Sequence, residues 1–439
     1  MICFLLSKYL KEYKMKLLPV AFAVTAALSS PIILAETELL DNIQLDDQQP
    51  LVISPETDIP DGIVFSGYAR YGFHFSDDTE KYVSADGQLI GNATGRLGYE
   101  SNGGEFQFAK GFVSDNGTIW DVVLMLEHWG DEVGLKKFYA GATNVFESQP
   151  NAYIWAGRDF HNRPQTGLND YFWMQNDAQG AGIKNLEFGS VKFDMAAVAQ
   201  VDDNGGTGDS GNYAITSKLH DINLTDALAL SLYANYGFSS KNTETDKDTQ
   251  TCTGTGLDKQ CYVDDIDSYQ LAIQLDHTYG AMTNKFVTRY GNNVDNNIFN
   301  KTEDLTTLLM QLEGKLVISN QTNIEYLAGY QSLEDKNASQ DDRANYSAIV
   351  RPTYAWNSIH STWLEAGYSV VDFDNQSGQN DAWKVTLSQN ISFDMDSGAR
   401  PMLRFYATVG DSNTEVDLTR GETGKQETFA VGAMWEAWW

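Results

Sequence analysis

Thr428-Phe429-Ala430-Val431-Gly432-Ala433-Met434-Trp435-Glu436-Ala437-Trp438-Trp439 closes the chain. Phe429, Val431, Ala433, Trp435, Ala437 and Trp439 share one parity, apolar throughout and aromatic at both ends. Thr428, Ala430, Gly432 and Glu436 hold the other parity, with Met434 and Trp438. Successive side chains of a β-strand point to opposite faces. An unbroken apolar face backed by small and polar residues is the pattern of a strand with lipid on one side and a wet lumen on the other.

The pattern recurs upstream. Phe65, Gly67, Ala69, Tyr71 and Phe73 alternate with Ser66, Tyr68, Arg70, Gly72 and His74. Leu364, Ala366, Tyr368 and Val370 alternate with Trp363, Glu365, Gly367 and Ser369. Trp383, Val385, Leu387, Ile391 and Phe393 share a parity broken only by Gln389, against Lys384, Thr386, Ser388, Asn390 and Ser392. A soluble β-sandwich also alternates. Here, however, the apolar faces end in Trp, Tyr and Phe, as an interfacial aromatic girdle does. The opposite faces carry Arg70, Glu365, Lys384 and Arg404, which suit a wet lumen. Lipid also demands that sheet edges be closed. The expected fold is all-β, a transmembrane antiparallel barrel over residues 64–439. Strands of about 9–11 residues allow roughly 16–18 of them. Asp202–Asn212, Ser239–Asp265, Val294–Asp304 and Glu334–Arg343 read as external loops.

The N-terminus carries the address. Lys8, Lys11, Lys14 and Lys16 precede an apolar stretch that breaks at Ser29-Ser30-Pro31 and ends at Ala35. Residues 1–35 read as a secretory leader; Met15-Lys16 would also open a leader of ordinary length. Residues 36–63 are acidic and hold Pro50, Pro55 and Pro60, a flexible entry to the barrel or a short periplasmic extension.

Charge and composition exclude other classes. The chain has 30 Lys and Arg against 60 Asp and Glu. Nucleic acid, which needs a basic surface, is not an expected partner. Cys252 and Cys261 lie in a polar stretch without a nearby His, so an exported disulfide is expected rather than a metal site. The six His residues form no metal-spaced cluster. No enzyme and no cofactor is expected, although acidic loops are compatible with a bound divalent cation.

Several stretches resemble the maltoporin and sucrose-porin family. They are Gly67-Tyr68-Ala69-Arg70, Arg96-Leu97-Gly98, Ile154-Trp155-Ala156-Gly157, Gly180-Ala181-Gly182, Asn284-Lys285-Phe286, Arg351-Pro352, Glu365-Ala366-Gly367-Tyr368, Arg400-Pro401 and Trp435-Glu436-Ala437-Trp438-Trp439. They occur in the family's order across almost the whole mature chain. The resemblance implies an 18-stranded homotrimer in the outer membrane of a Gram-negative bacterium, whose third loop folds inward as a constriction. It implies a passive channel in which aromatic side chains guide an oligosaccharide of the maltodextrin type. Aromatic faces take the apolar sugar faces; charged groups exchange hydrogen bonds with the hydroxyls.

Carried over residue by residue, Tyr68 and Trp438 match slide aromatics, and both fall on the lumen parity found above. Trp129 matches the slide Trp that a neighbouring subunit contributes at the pore mouth. Arg70, Arg96 and Glu105 match the polar track, and Lys136 replaces an Arg. In the inward loop, Arg163 and Asp170 match polar-track residues, while Phe172 stands where maltoporin has a constriction Tyr and the sucrose porin an acidic residue. Slide aromatics are missing at Gly103, Thr283 and Gly398, and Gln165 replaces an acidic residue. Each candidate also has a structural reading. Tyr68 and Trp438 would suit a girdle or assembly, Phe172 a loop core, Trp129 an ordinary loop. Arg70 and Arg96 would balance lumen carboxylates. The alternatives are a general diffusion porin, a porin for a different sugar, and a barrel used for adhesion or as a receptor.

Overall fold

Hydrophobic side chains lie outside and charged ones inside. Phe73, Phe138 and Phe393 are 63%, 58% and 78% exposed, whereas Arg289, Lys384 and Glu365 are wholly buried. Water-soluble domains show the reverse order. The inversion follows from lipid outside and hydrogen-bonding partners within. The computed structural model describes residues 61–439 except 77–81, 131, 202–209, 240–251, 254–259, 262–265, 339–340 and 394–400. The leader, nearly all of the acidic segment 36–63, and Gly398 lie outside the described residues.

Eighteen antiparallel strands form one closed sheet. They are β1 (Val64–Ser76), β2 (Gly103–Val113), β3 (Ile119–Trp129), β4 (Val133–Thr143), β5 (Tyr153–Asp159), β6 (Ala178–Phe188), β7 (Val191–Gln200), β8 (Asn212–Thr225), β9 (Leu228–Ser239), β10 (Ser268–Tyr279), β11 (Met282–Val294), β12 (Lys301–Ser319), β13 (Thr322–Asp335), β14 (Arg343–Ala355), β15 (His360–Phe373), β16 (Gln379–Ser392), β17 (Met402–Thr414) and β18 (Gly424–Trp438). β1 pairs with β2 on one side and β18 on the other, so no edge is left. At the seam the Trp439 N–H and C=O pair with Gly67, and its ring lies 5.4 Å from Phe65 and 5.9 Å from Phe106. The last aromatic therefore fastens the closure.

The wall is uneven. β5 has 7 residues and β12 has 19. Short turns join strands at the end where the chain closes, which is the periplasmic side by the usual asymmetry of such barrels. Cys252 and Cys261 stand opposite each other in a two-residue ladder within the long connection after β9; their side chains, and so the expected disulfide, lie outside the described residues. Most of the loops read at 202–212 and 239–265 likewise lie outside them.

The third external connection, 160–177, folds inward as expected. Leu168 N–H donates to Glu313 of β12 at 2.8 Å, and the Tyr171 hydroxyl donates to Gln331 of β13 at 3.2 Å. Arg289 of β11 donates to the Trp173 carbonyl. The stretch read as an external loop at Val294–Asp304 is corrected. Only 295–300 connects the strands, and it too turns inward, with Ile298 and Phe299 buried. The Ile298 amide bonds Asn176 of the third connection, an anchor that no local pattern announces.

The first connection also enters the lumen. Leu97 N–H donates to Glu365 of β15 at 2.9 Å, Leu89 N–H to Asn345 of β14 at 2.9 Å, and Lys384 of β16 to the Leu97 carbonyl at 2.8 Å. The two inward segments meet where Asn92 N–H donates to Asn169 O and Arg96 N–H to Leu168 O. Ile90, Ala93, Tyr171, Trp173, Met174 and Leu309 pack together between segments and wall. Irregular backbone cannot satisfy its own polar groups, so polar wall residues do it instead. Large buried side chains in that cluster contribute roughly 1.5–3 kcal/mol each.

Candidate functional site

β1 positions the centre of the site. Its lumen parity presents Tyr68 and Arg70, and its neighbours β2, β3 and β18 bring the rest by register. Tyr68 pairs with Glu105 on one side and Trp438 on the other; Arg70 pairs with Gly103 and Glu436. Gly103 in turn stands opposite Trp129.

Three rings form a line. Trp129 and Tyr68 have centroids 6.4 Å apart, and Tyr68 and Trp438 6.0 Å. Trp438 is 41% exposed at the periplasmic end, and Tyr68 and Trp129 are half-buried. The resemblance would place the ring at 129 in a neighbouring subunit's pore mouth. Here it lies deep in its own chain's lumen, level with Arg70. The reason is length. Only residues 130–132 join β3 to β4, a reach of about 10 Å, too little to cross a barrel wall and enter another pore.

A charged network borders the rings. Arg70 donates to Asp170 of the inward loop at 3.1 Å and to the Ser101 carbonyl at 2.9 Å, with its guanidinium 5.1 Å from the Trp129 ring centre. Gln165, which replaces an acidic residue, donates to the other Asp170 oxygen at 2.6 Å. Asp170 is thus held between two donors rather than beside a like charge. Glu436 accepts from the Tyr68 hydroxyl at 2.8 Å, from Arg96 at 2.6 Å and from Arg404 at 3.0 Å. Burial alone would pull the Arg96 pKa down, but Glu436, Tyr68, Asp170 and Glu100 hold it well above its ordinary value.

Arg163 and Phe172 face each other on the inward loop. The Arg163 guanidinium lies 4.2 Å from the Phe172 ring centre and 3.9 Å from that of Phe160. Its carboxylate neighbours, Glu105 at 3.8 Å and Asp177 at 3.7 Å, sit at ion-pair rather than hydrogen-bond distance. Burial pushes the Asp177 pKa up, partly offset by Arg163 and Lys136. Lys136 itself meets Glu127 at 3.0 Å from a bulge, since Met125 pairs with Lys137 and Leu126 with Leu135. Arg70, Arg96, Glu105, Asp170, Tyr68, Trp129 and Trp438 therefore come together. Arg163 and Phe172 join through Glu105, and Lys136 stands at the margin.

Sequence reasoning missed Glu436, the group on which Tyr68, Arg96 and Arg404 converge. Its lumen parity between Met434 and Trp438 was the available signal. Thr283 lies on the lumen parity of β11 among polar side chains, and its hydroxyl is buried without a hydrogen-bond partner among the described residues. Among the described residues no group of three or more His, Cys, Asp or Glu forms a metal site.

Similarity to known proteins extends along almost the whole described barrel. The family model described as "LamB porin" matches residues 63–439. A protein named maltoporin from Hahella chejuensis is 27% identical over 402 residues, covering 86% of this chain and 92% of the relative. A maltoporin from Vibrio cholerae serotype O1 is 28% identical over 419 residues, covering 85% of this chain and 94% of the relative. Among solved structures, Pseudomonas aeruginosa OccD3 (OpdP) aligns with a TM-score of 0.48 at 10% identity over 88% of this chain and 94% of that one.

Proposed function

From the premise that this chain belongs to the LamB porin family, and is therefore an outer-membrane porin and not an enzyme, we propose that it passes oligosaccharides of the maltodextrin type by passive, selective diffusion. The observation that carries the reading is the line of Trp129, Tyr68 and Trp438 bordered by Arg70, Arg96, Glu105, Asp170 and Glu436. A sugar ring offers apolar C–H faces to the aromatics and a hydroxyl rim to the charged groups. Rings about 6 Å apart let the chain engage the next before it has left the last. Each contact must stay weak, because a channel that held its solute would not conduct. Arg163 and Phe172 narrow the path from the inward loop, and Lys136 lies beside it. We further propose that the chain assembles as a homotrimer, as the resemblance implies; cross-linking in detergent would test this.

The test is ion current through the purified protein in a planar bilayer. Maltose, maltohexaose and sucrose are added in turn. The expected result is saturable block that tightens with maltodextrin length. Block by sucrose but not maltohexaose would assign a different sugar. No block by any of them would refute sugar selectivity and leave a general diffusion pore.

A further inference from the structure

Gly103 is where the resemblance expects a ring, and the space above it is full. A Cβ built on Gly103 would stand 2.4 Å from Cε3 and 2.7 Å from Cδ2 of Trp129, and 2.3 Å from the His128 carbonyl oxygen. The backbone there has φ of 154°, which side-chain-bearing residues rarely adopt. Trp129 is directly opposite in the β2–β3 ladder, so its indole folds across the strand onto the bare backbone. It is flanked on two sides: the Arg70 guanidinium lies 5.1 Å from its ring centre, and the Tyr68 ring lies 6.4 Å away.

We infer that Gly103 is a positioning residue for sugar recognition: by lacking a side chain it seats Trp129 in the slot that an aromatic at 103 would fill, completing the track within a single subunit. This inference rests on the sugar-track reading above. It also explains why the three-residue connection after β3 is compatible with a working slide, since no ring from a neighbouring chain is needed.

The experiment compares wild type with Gly103→Ala, Gly103→Tyr, Trp129→Gly and the double variant Gly103→Tyr/Trp129→Gly in bilayers. Barrel folding is checked by heat-modifiable gel migration. Without sugar, Gly103→Ala and Gly103→Tyr displace the indole into the lumen and lower the open-channel current. The double variant returns it toward wild type. With maltohexaose, each single variant weakens block by about 2- to 13-fold, the range of one aromatic contact, and the double variant recovers most of it. Trp129→Phe retains block as a partial rescue. Single variants that match wild type in current and block would overturn the inference, and so would a double variant no better than Gly103→Tyr. If Gly103→Tyr does not fold, Gly103→Ala in the Trp129 and Trp129→Gly backgrounds carries the same comparison. Coupled currents with no sugar block in wild type would instead refute the sugar-track reading, and the positioning role in recognition with it.

Discussion

Replacing Glu365 with Ala should release the first inward segment. The carboxylate is fully buried on β15. It accepts from the Leu97 amide at 2.9 Å and from Arg351 at 2.6 and 3.0 Å, and lies 3.2 Å from the Lys384 ammonium. Removing one member of a buried ion pair costs about 3–5 kcal/mol, because the remaining charge is left uncompensated. Two features favour the low end. Arg351 keeps Glu325 at 3.4 Å, and Lys384 keeps the Leu97 carbonyl at 2.8 Å. A loss of about 3 kcal/mol raises the opened population roughly 100-fold, at a decade per 1.4 kcal/mol. The assay is amide hydrogen exchange of the detergent-solubilised barrel, followed on peptides covering 82–102, with single-channel current recorded in parallel. Exchange at residues 89–97 should accelerate by about two decades and the current should become larger and noisier. Glu365→Gln, which keeps an acceptor for Leu97, should show less. Wild-type protection of 89–97 in a folded Glu365→Ala barrel would refute the claim that this ion cluster latches the segment.

Other consequences follow from the same network. Arg70→Ala leaves Asp170 with only Gln165 as a side-chain donor, so the pore should become more cation-selective; an unchanged reversal potential in a KCl gradient would contradict this. Burial, reinforced by Lys184, lowers the His161 pKa from 6.5 to about 4 on the inward loop. A depressed histidine contributes stability that is present above 6.5 and is lost as pH falls through 4, in total about 3 kcal/mol. Exchange protection of residues 160–177 should therefore fall between those values, and His161→Gln should flatten the dependence. Tyr68→Phe keeps the ring and loses only the hydroxyl, which donates to Glu436 and accepts from Arg70, so maltohexaose block should change little, whereas Tyr68→Ala should weaken it by about 2- to 13-fold; equal effects would place the contact in the hydroxyl.

The barrel was legible because its signal is periodic. Phe429 to Trp439 and Trp383 to Phe393 reveal both faces with no knowledge of their neighbours. The lumen parity of Tyr68 and Trp438 was legible for the same reason. The inward first segment was not, because irregular backbone has no period. Its signal was of another kind: Gly87, Gly91, Gly95 and Gly98 all adopt positive φ, and glycines at that spacing mark a chain that turns repeatedly rather than one that extends. The seating of Trp129 on Gly103 was hidden more deeply. It depends on a cross-strand register, and register emerges only when the whole sheet closes.

The acidity of the whole chain gives a poor picture of its lumen. Arg70, Arg96, Arg163, Arg289, Arg351 and Arg404 all point inward, and each meets a carboxylate: Asp170, Glu436, Glu105 with Asp177, Asp295, Glu365, and Glu100 with Glu436. Guanidinium suits this task because its planar fork serves two partners and stays charged when buried. Arginines that each face a carboxylate in this way add little net field of their own, so they offer little to an ion. They still present a dense set of donors and acceptors that can trade one partner for a hydroxyl. Set beside a line of aromatic faces, that chemistry fits a neutral polyhydroxylated solute better than a charged one. The same pairing fixes the inward segments, so the groups that shape the pore are also those that line it.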